Sequence, residues 1–130
     1  MDERLCDEEK TDIANDFYLC LIIKKMKEIT VQELKSKIDN KEDFQLIDVR
    51  ETFEYELVNI GGENIPMGNV MLELDKIATD KPVVVHCRSG ARSGAIVVAL
   101  ESQHEFSNVY NLKGGIMAWI KEIDPSLPTY

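Results

Sequence analysis

Short apolar runs recur along this chain, "FQLIDV" (44–49), "PVVVHC" (82–87) and "NVYNL" (108–112), and none alternates cleanly between apolar and polar residues. A strand with one face in water would alternate; strands like these are covered on both faces. Segments of helical character separate them: "TVQE", in which Thr30 and Glu33 form a capping box that opens a helix to about residue 40, then "ETFEYEL" (51–57), "NVMLELDKIA" (69–78), "SGAIVVALESQ" (93–103) and "GGIMAWIKEI" (114–123). "EIT" (28–30) reads as a short edge strand, and "NIGGENIP" (59–66) as a tight connection. Strands alternating with helices predict an α/β domain built on a parallel sheet with helices on both faces.

The chain has 130 residues, 44% of them hydrophobic, enough to close one core but not two. With 15 basic and 24 acidic residues the net charge is −9, a surface that repels nucleic acid and anionic lipid, so neither is expected as a partner. The longest apolar run, "FYLCLII" (17–23), is far short of the roughly 20 residues a membrane span requires. Asp2, Glu3, Asp7, Glu8 and Glu9 stand where a secretory signal carries positive charge, which makes the cytoplasm the expected location. Cys6, Cys20 and Cys87 have no metal-ligand spacing and no CxxC, so neither a zinc site nor a disulfide framework is expected. Residues 1–25 fall outside the rhythm of the rest. They read either as an added helix over about 11–25 or as an upstream extension before a true start at Met26, and no role is assigned to Cys6 or Cys20.

Cys87 closes the valine-rich strand and is followed by Arg88, Ser89, Gly90, Ala91, Arg92 and Ser93. In an open parallel sheet, ligands bind at the carboxyl ends of strands. A loop of small residues leading into a helix can turn its N–H groups inward and hold an anion there. Residues 81–95 carry Lys81, Arg88 and Arg92 with no acid, a local charge of +3 in an acidic chain. Cationic surroundings and a helix N-terminus both favour the thiolate, so Cys87 is a candidate nucleophile rather than only a small buried hydrophobe.

"CRSGAR" (87–92) resembles the Cys-x-x-Gly-x-Arg active-site loop of the rhodanese-like sulfurtransferases. "LIDVRETFEYELVNIGGENIPMG" (46–68) is similar to that family's Asp-Val-Arg-Glu segment and Ile-Pro turn, and "NLKGGIMAWI" (111–120) to its closing Gly-Gly helix. The resemblance covers about residues 28–130, within a domain read as 26–130. It implies a doubly wound α/β fold with a mostly parallel central sheet of about five strands. It also implies a sulfurtransferase that carries sulfane sulfur as a Cys87 persulfide from a donor such as thiosulfate to a thiophilic acceptor. That acceptor is cyanide in the test tube, and a thiol or a sulfur-carrier protein in the cell. No metal or organic cofactor is implied. "NIGGE" (59–63) departs from the family's His-Ile-Pro-Gly-Ala turn. With the ending "IDPSLPTY" (123–130), it resembles the rhodanese domains fused to adenylyltransferases of molybdopterin, thiamine and tRNA-thiolation pathways, which implies a separate adenylyltransferase partner here.

Two rival functions stand beside this one. Thiolate phosphatases and arsenate-reductase-like enzymes place Arg after five intervening residues; here four separate Cys87 from Arg92, and the phosphatase position holds Ser93. A tighter loop suits a single sulfur better than a tetrahedral oxyanion. The other rival is a non-catalytic binding module, which would not need the cysteine. Within the site, Arg92 is expected to shape the loop, and the resemblance implies a pair with Asp48. Arg88, pointing outward, is the candidate for an anionic donor, while Arg50 and Glu51 are expected near the same mouth. His86 precedes Cys87 on a strand, so its side chain is expected on the opposite face as a satisfied structural histidine. Ile116, Trp119 and Ile120 share one helical face and read as core.

Overall fold

The computed structural model describes residues 26–130. The segment 1–25, with Cys6 and Cys20, lies outside the described residues. The elements run β1 (Glu28–Ile29), α1 (Val31–Asp39), β2 (Gln45–Asp48), α2 (Thr52–Leu57), β3 (Glu63–Asn64), two 3₁₀ turns (Met67–Leu72 and Leu74–Lys76), β4 (Val83–His86), α3 (Ala91–Gln103), β5 (Val109–Leu112) and α4 (Gly115–Glu122). All four strand pairings are parallel, in the spatial order β1-β5-β4-β2-β3. This is the doubly wound sheet expected from the sequence.

The two faces of the sheet separate residue by residue. Val83, Val85 and Cys87 pack with Ile96, Val97 and Leu100 of α3, while Val84 joins Val31, Leu34, Leu112 and Trp119 on the other side. Each β4 valine is at most 1% exposed, and burying such a side chain stabilises the fold by roughly 1.5–3 kcal/mol relative to leaving it in water. The uninterrupted valines therefore place β4 centrally, with both faces covered. At the start of α1, Thr30 Oγ1 accepts from Glu33 N–H at 3.1 Å and Glu33 Oε1 accepts from Thr30 N–H at 2.8 Å, the capping box legible in the sequence.

Three elements differ from expectation. The helix expected over 69–78 is a pair of 3₁₀ turns. Val70 and Ile77 are buried while Leu72 between them is 83% exposed, so the apolar residues do not share one helical stripe. The Gln45 side chain ends the segment, donating to Lys76 O at 2.8 Å and accepting from Ala78 N–H at 2.8 Å. Inside the expected connection 59–66 lies β3, whose Glu63 and Asn64 pair with Ile47 and Asp48. Finally, α3 begins at Ala91, two residues before 93, which moves Ala91 and Arg92 from the loop into the first helical turn.

Candidate active site

Cys87 follows β4 directly and is 1% exposed. The N-terminus of α4 fixes the direction of the chain around it: Ile116 N–H donates to Cys87 O at 2.9 Å and Met117 N–H to Arg88 O at 3.1 Å. With those carbonyls turned toward α4, the next N–H groups turn the other way. Gly90 N–H donates to Cys87 Sγ at 3.1 Å and Ser93 N–H at 3.4 Å. Gly90 caps α3 with φ +105°, a conformation that residues with a Cβ rarely adopt, and this lets the loop close in so few residues. Ser93 is fully buried, its Oγ 3.4 Å from Sγ, whereas Ser89 and Ala91 are exposed.

Burial of Cys87 pushes its thiol up. The Ser93 hydroxyl, when it is turned toward Sγ, and the main-chain N–H groups of Ser93, Gly90 and Ser89 pull it down by more, so it lies below the ordinary thiol value. The arrangement can therefore hold negative charge on a sulfur that water barely reaches.

Arg92 does not pair with Asp48. Starting α3 at Ala91 carries the guanidinium toward α2, where it makes a two-pronged contact with Glu54: Nη1 to Oε1 at 2.9 Å and Nη2 to Oε2 at 3.1 Å. Arg92 holds the Glu54 carboxyl at about 2, and Glu54 in turn raises Arg92. Asp48 is already occupied. Arg50, two residues on, donates to it from Nε at 3.0 and 3.1 Å, from Nη2 at 2.7 Å and from its main-chain N–H at 3.0 Å. Arg50 is fully buried and also donates to Val58 O at 2.6 Å and Tyr130 Oη at 2.9 Å, so it braces the floor of the site and does not line an open mouth. Glu51 is exposed at the N-cap of α2, and its N–H donates to Glu54 Oε1 at 3.0 Å.

Arg88 also departs from expectation. It folds against Tyr130, with Nε donating to the Tyr130 main-chain oxygen at 3.1 Å, Nη2 donating to the same atom, and the guanidinium 5.1 Å from the ring centre. Tyr130 Oη donates to Glu54 Oε2 at 2.8 Å, joining Arg88, Arg50 and the Arg92–Glu54 pair in one network. His86 is buried on the face opposite Cys87, as strand geometry requires. It is only half satisfied: Nδ1 lies 3.4 Å from Cys87 O, while Nε2 has no hydrogen-bond partner and stands 3.7 Å from Asp48 Oδ2. Burial holds the ring below the usual histidine value, more than Asp48 offsets, so it is neutral.

Sequence reasoning missed Glu54, Tyr130 and Asn111. Only Asn111 carried a signal, as an amide in an otherwise apolar strand. Among the described residues, no group of three or more His, Cys, Asp or Glu side chains could hold a metal ion, and no helix is long and apolar enough to cross a membrane.

Residues 30–122, which span the Cys87 loop and both helices that position it, match the family described as the rhodanese-like domain. The chain belongs to that family. Among relatives of this rhodanese-like domain, a putative sulfurtransferase of Bacillus subtilis, YtwF, is 40% identical over 101 residues, covering 77% of this chain and 96% of its own length. A probable adenylyltransferase/sulfurtransferase of Mycobacterium tuberculosis, MoeZ, is 35% identical over 105 residues, covering 78% of this chain. The chain spans well under half the length of several curated relatives that it matches, only 26% in the case of MoeZ. A crystal structure of a rhodanese-like domain protein from Staphylococcus aureus superposes with a TM-score of 0.68 at 30% identity, covering 81% of this chain and 99% of the other. The sulfurtransferase names among these relatives support membership of a sulfurtransferase family.

Proposed function

We propose that this domain carries sulfane sulfur on Cys87. The thiolate attacks the outer sulfur of a donor such as thiosulfate, the Cys87 S–S bond forms, the donor's S–S bond breaks, and sulfite leaves. The charge then rests on the outer sulfur of the persulfide. An acceptor nucleophile such as cyanide attacks that sulfur and leaves as thiocyanate, returning the Cys87 thiolate. One observation carries the reading: main-chain N–H groups of Gly90 and Ser93 converge on a buried cysteine sulfur at 3.1 and 3.4 Å. Donors fixed in that way stabilise anionic sulfur without reorganising at the moment of reaction.

The acceptor in the cell is a thiol or a sulfur-carrier protein. Relatives named as adenylyltransferase/sulfurtransferase and as a putative sulfur carrier protein support the second, with an adenylyltransferase as a further partner. The expected setting is the cytoplasm.

Incubation with thiosulfate should add the mass of one sulfur to the intact protein, and cyanide should remove it. Cys87→Ser abolishes the gain, while Cys6→Ser and Cys20→Ser retain it. Undiminished loading of the Cys87→Ser protein would refute the assignment.

A further inference from the structure

Asn111 lies on β5, facing α3 beneath the Cys87 loop, and is almost completely buried. Its Nδ2 points at two acceptors, Gly90 O at 3.3 Å and Glu28 Oε2 at 3.4 Å. Two acceptors on that side fix the amide orientation, so Oδ1 faces Ser93. Ser93 Oγ stands 2.6 Å from Asn111 Oδ1 and 3.4 Å from Cys87 Sγ.

An amide oxygen has no proton to give, and two oxygens 2.6 Å apart need one between them. Only the Ser93 hydroxyl can supply it. That hydroxyl has a single proton, so while it serves Asn111 it offers Cys87 nothing but lone pairs. A lone pair facing Sγ accepts from the S–H of a thiol and repels a thiolate.

We propose that Asn111 is a positioning residue that sets the direction of the Ser93 hydroxyl and thereby restrains Cys87 from losing its proton. When Cys87 ionises, the Ser93 O–H must turn from Asn111 to Sγ. The thiolate then gains a donor, and Asn111 Oδ1 is left buried without one. In a persulfide the charge sits on the outer sulfur and Sγ is neutral, so Ser93 can stay on Asn111. The contact therefore disfavours the free thiolate relative to the loaded state. This consequence rests on the persulfide reading; the restraint on ionisation does not.

Other charges around the loop form a fixed background. Arg88 is held on Tyr130, Arg92 on Glu54, and Arg50 on Asp48. His86 is neutral on the opposite face, and the first turn of α4 carries no acid. Among the described residues, Glu28 on β1 is the charged side chain hydrogen-bonded to Asn111.

The test compares Asn111→Leu, close to asparagine in size and shape, with the wild-type chain. Thiolate ultraviolet absorbance is titrated against pH and read as the difference from the matching Cys87→Ser protein, with no sulfur donor present. Freed from Asn111, the Ser93 hydroxyl turns to Sγ, and the midpoint should fall by about one pH unit, a roughly tenfold rise in the ionisation constant. In a Ser93→Ala background the same substitution should leave the midpoint where Ser93→Ala alone puts it. An unchanged or raised midpoint, or an equal fall in both backgrounds, overturns the proposal. If Asn111→Leu does not fold, Asn111→Ala is read by the same criteria. Failure of sulfur loading would leave this titration readable, so the two proposals fail separately.

Discussion

Replacing Gly115 by alanine introduces a methyl group where the main chains of α4 and the Cys87 loop meet. A Cβ built at Gly115 would lie 2.6 Å from Cys87 O and from Arg88 C, and closer still to Arg88 O. All three atoms are backbone, so no side chain can swing away to make room. The residue also has φ +61°, which costs an L-amino acid roughly 1–2 kcal/mol. Forcing the loop outward adds roughly 1–3 kcal/mol of overpacking. A loss of about 3 kcal/mol follows, which for a domain of this size lowers Tm by roughly 12 °C at about 4 °C per kcal/mol. The displaced loop also aims its N–H groups away from Cys87, and sulfur loading should fall at least about tenfold, or roughly 1.4 kcal/mol. Two glycines separate the causes. Gly61, at φ +90° with nothing within 4 Å of its Cβ position, carries only the dihedral cost. Its alanine variant should lose about 1 kcal/mol and load sulfur normally. Gly68 has neither constraint, and its variant should change stability by less than about 0.5 kcal/mol. Thermal melts and thiosulfate-dependent mass gain measure both effects. If Gly115→Ala loses no more than Gly61→Ala, the loop is not held rigidly against α4 and the steric argument fails.

The Glu54–Arg92 pair predicts an acid-sensitive part of the stability. Glu54 is depressed to about 2 from an ordinary 4.5, so its contribution is complete above about pH 4.5 and lost as the pH falls toward 2. Because Arg92 is 35% exposed, the full linkage value is discounted to about 1–2 kcal/mol. Glu54→Gln should cost that amount at pH 7 and approach the wild type on acidification; a cost independent of pH in thermal melts would contradict it. Arg50→Lys keeps the charge but cannot reproduce the fork to Asp48, Val58 O and Tyr130, and the expected loss is about 3–5 kcal/mol in urea unfolding. A loss under about 1 kcal/mol would show that the buried fork is replaceable.

What the sequence made legible is what short-range physics decides. The Thr30–Glu33 box spans one helical turn, and the valines of β4 need only be apolar on both sides to define a central strand. A cysteine at the end of such a strand, with Gly90 three residues later, already implies a cradle of N–H groups. The missed features depend on distance in space. Asp48 and Glu54 are both acids in one segment. Which of them meets Arg92 is decided by where α3 begins and by Arg50 having claimed Asp48. β3 is two polar residues, recognisable as a strand only from its pairing with β2. Tyr130 reaches Arg50 across 80 positions of sequence, a contact that no local pattern encodes.

The position of β4 in the sheet has a consequence for motion. It is flanked by β2 and β5, while the outermost strands, β1 and β3, are two residues long. Proteins open locally from such short borders inward, and the innermost strand exchanges its amide hydrogens only when the whole domain unfolds. Val84, Val85 and His86 should therefore be among the slowest amides in the molecule, and the borders among the fastest. Cys87 is continuous with the slow set. Whatever group it bears remains enclosed through fluctuations that undo the edges, and a reagent that strips it within the exchange lifetime of β4 must enter through the loop.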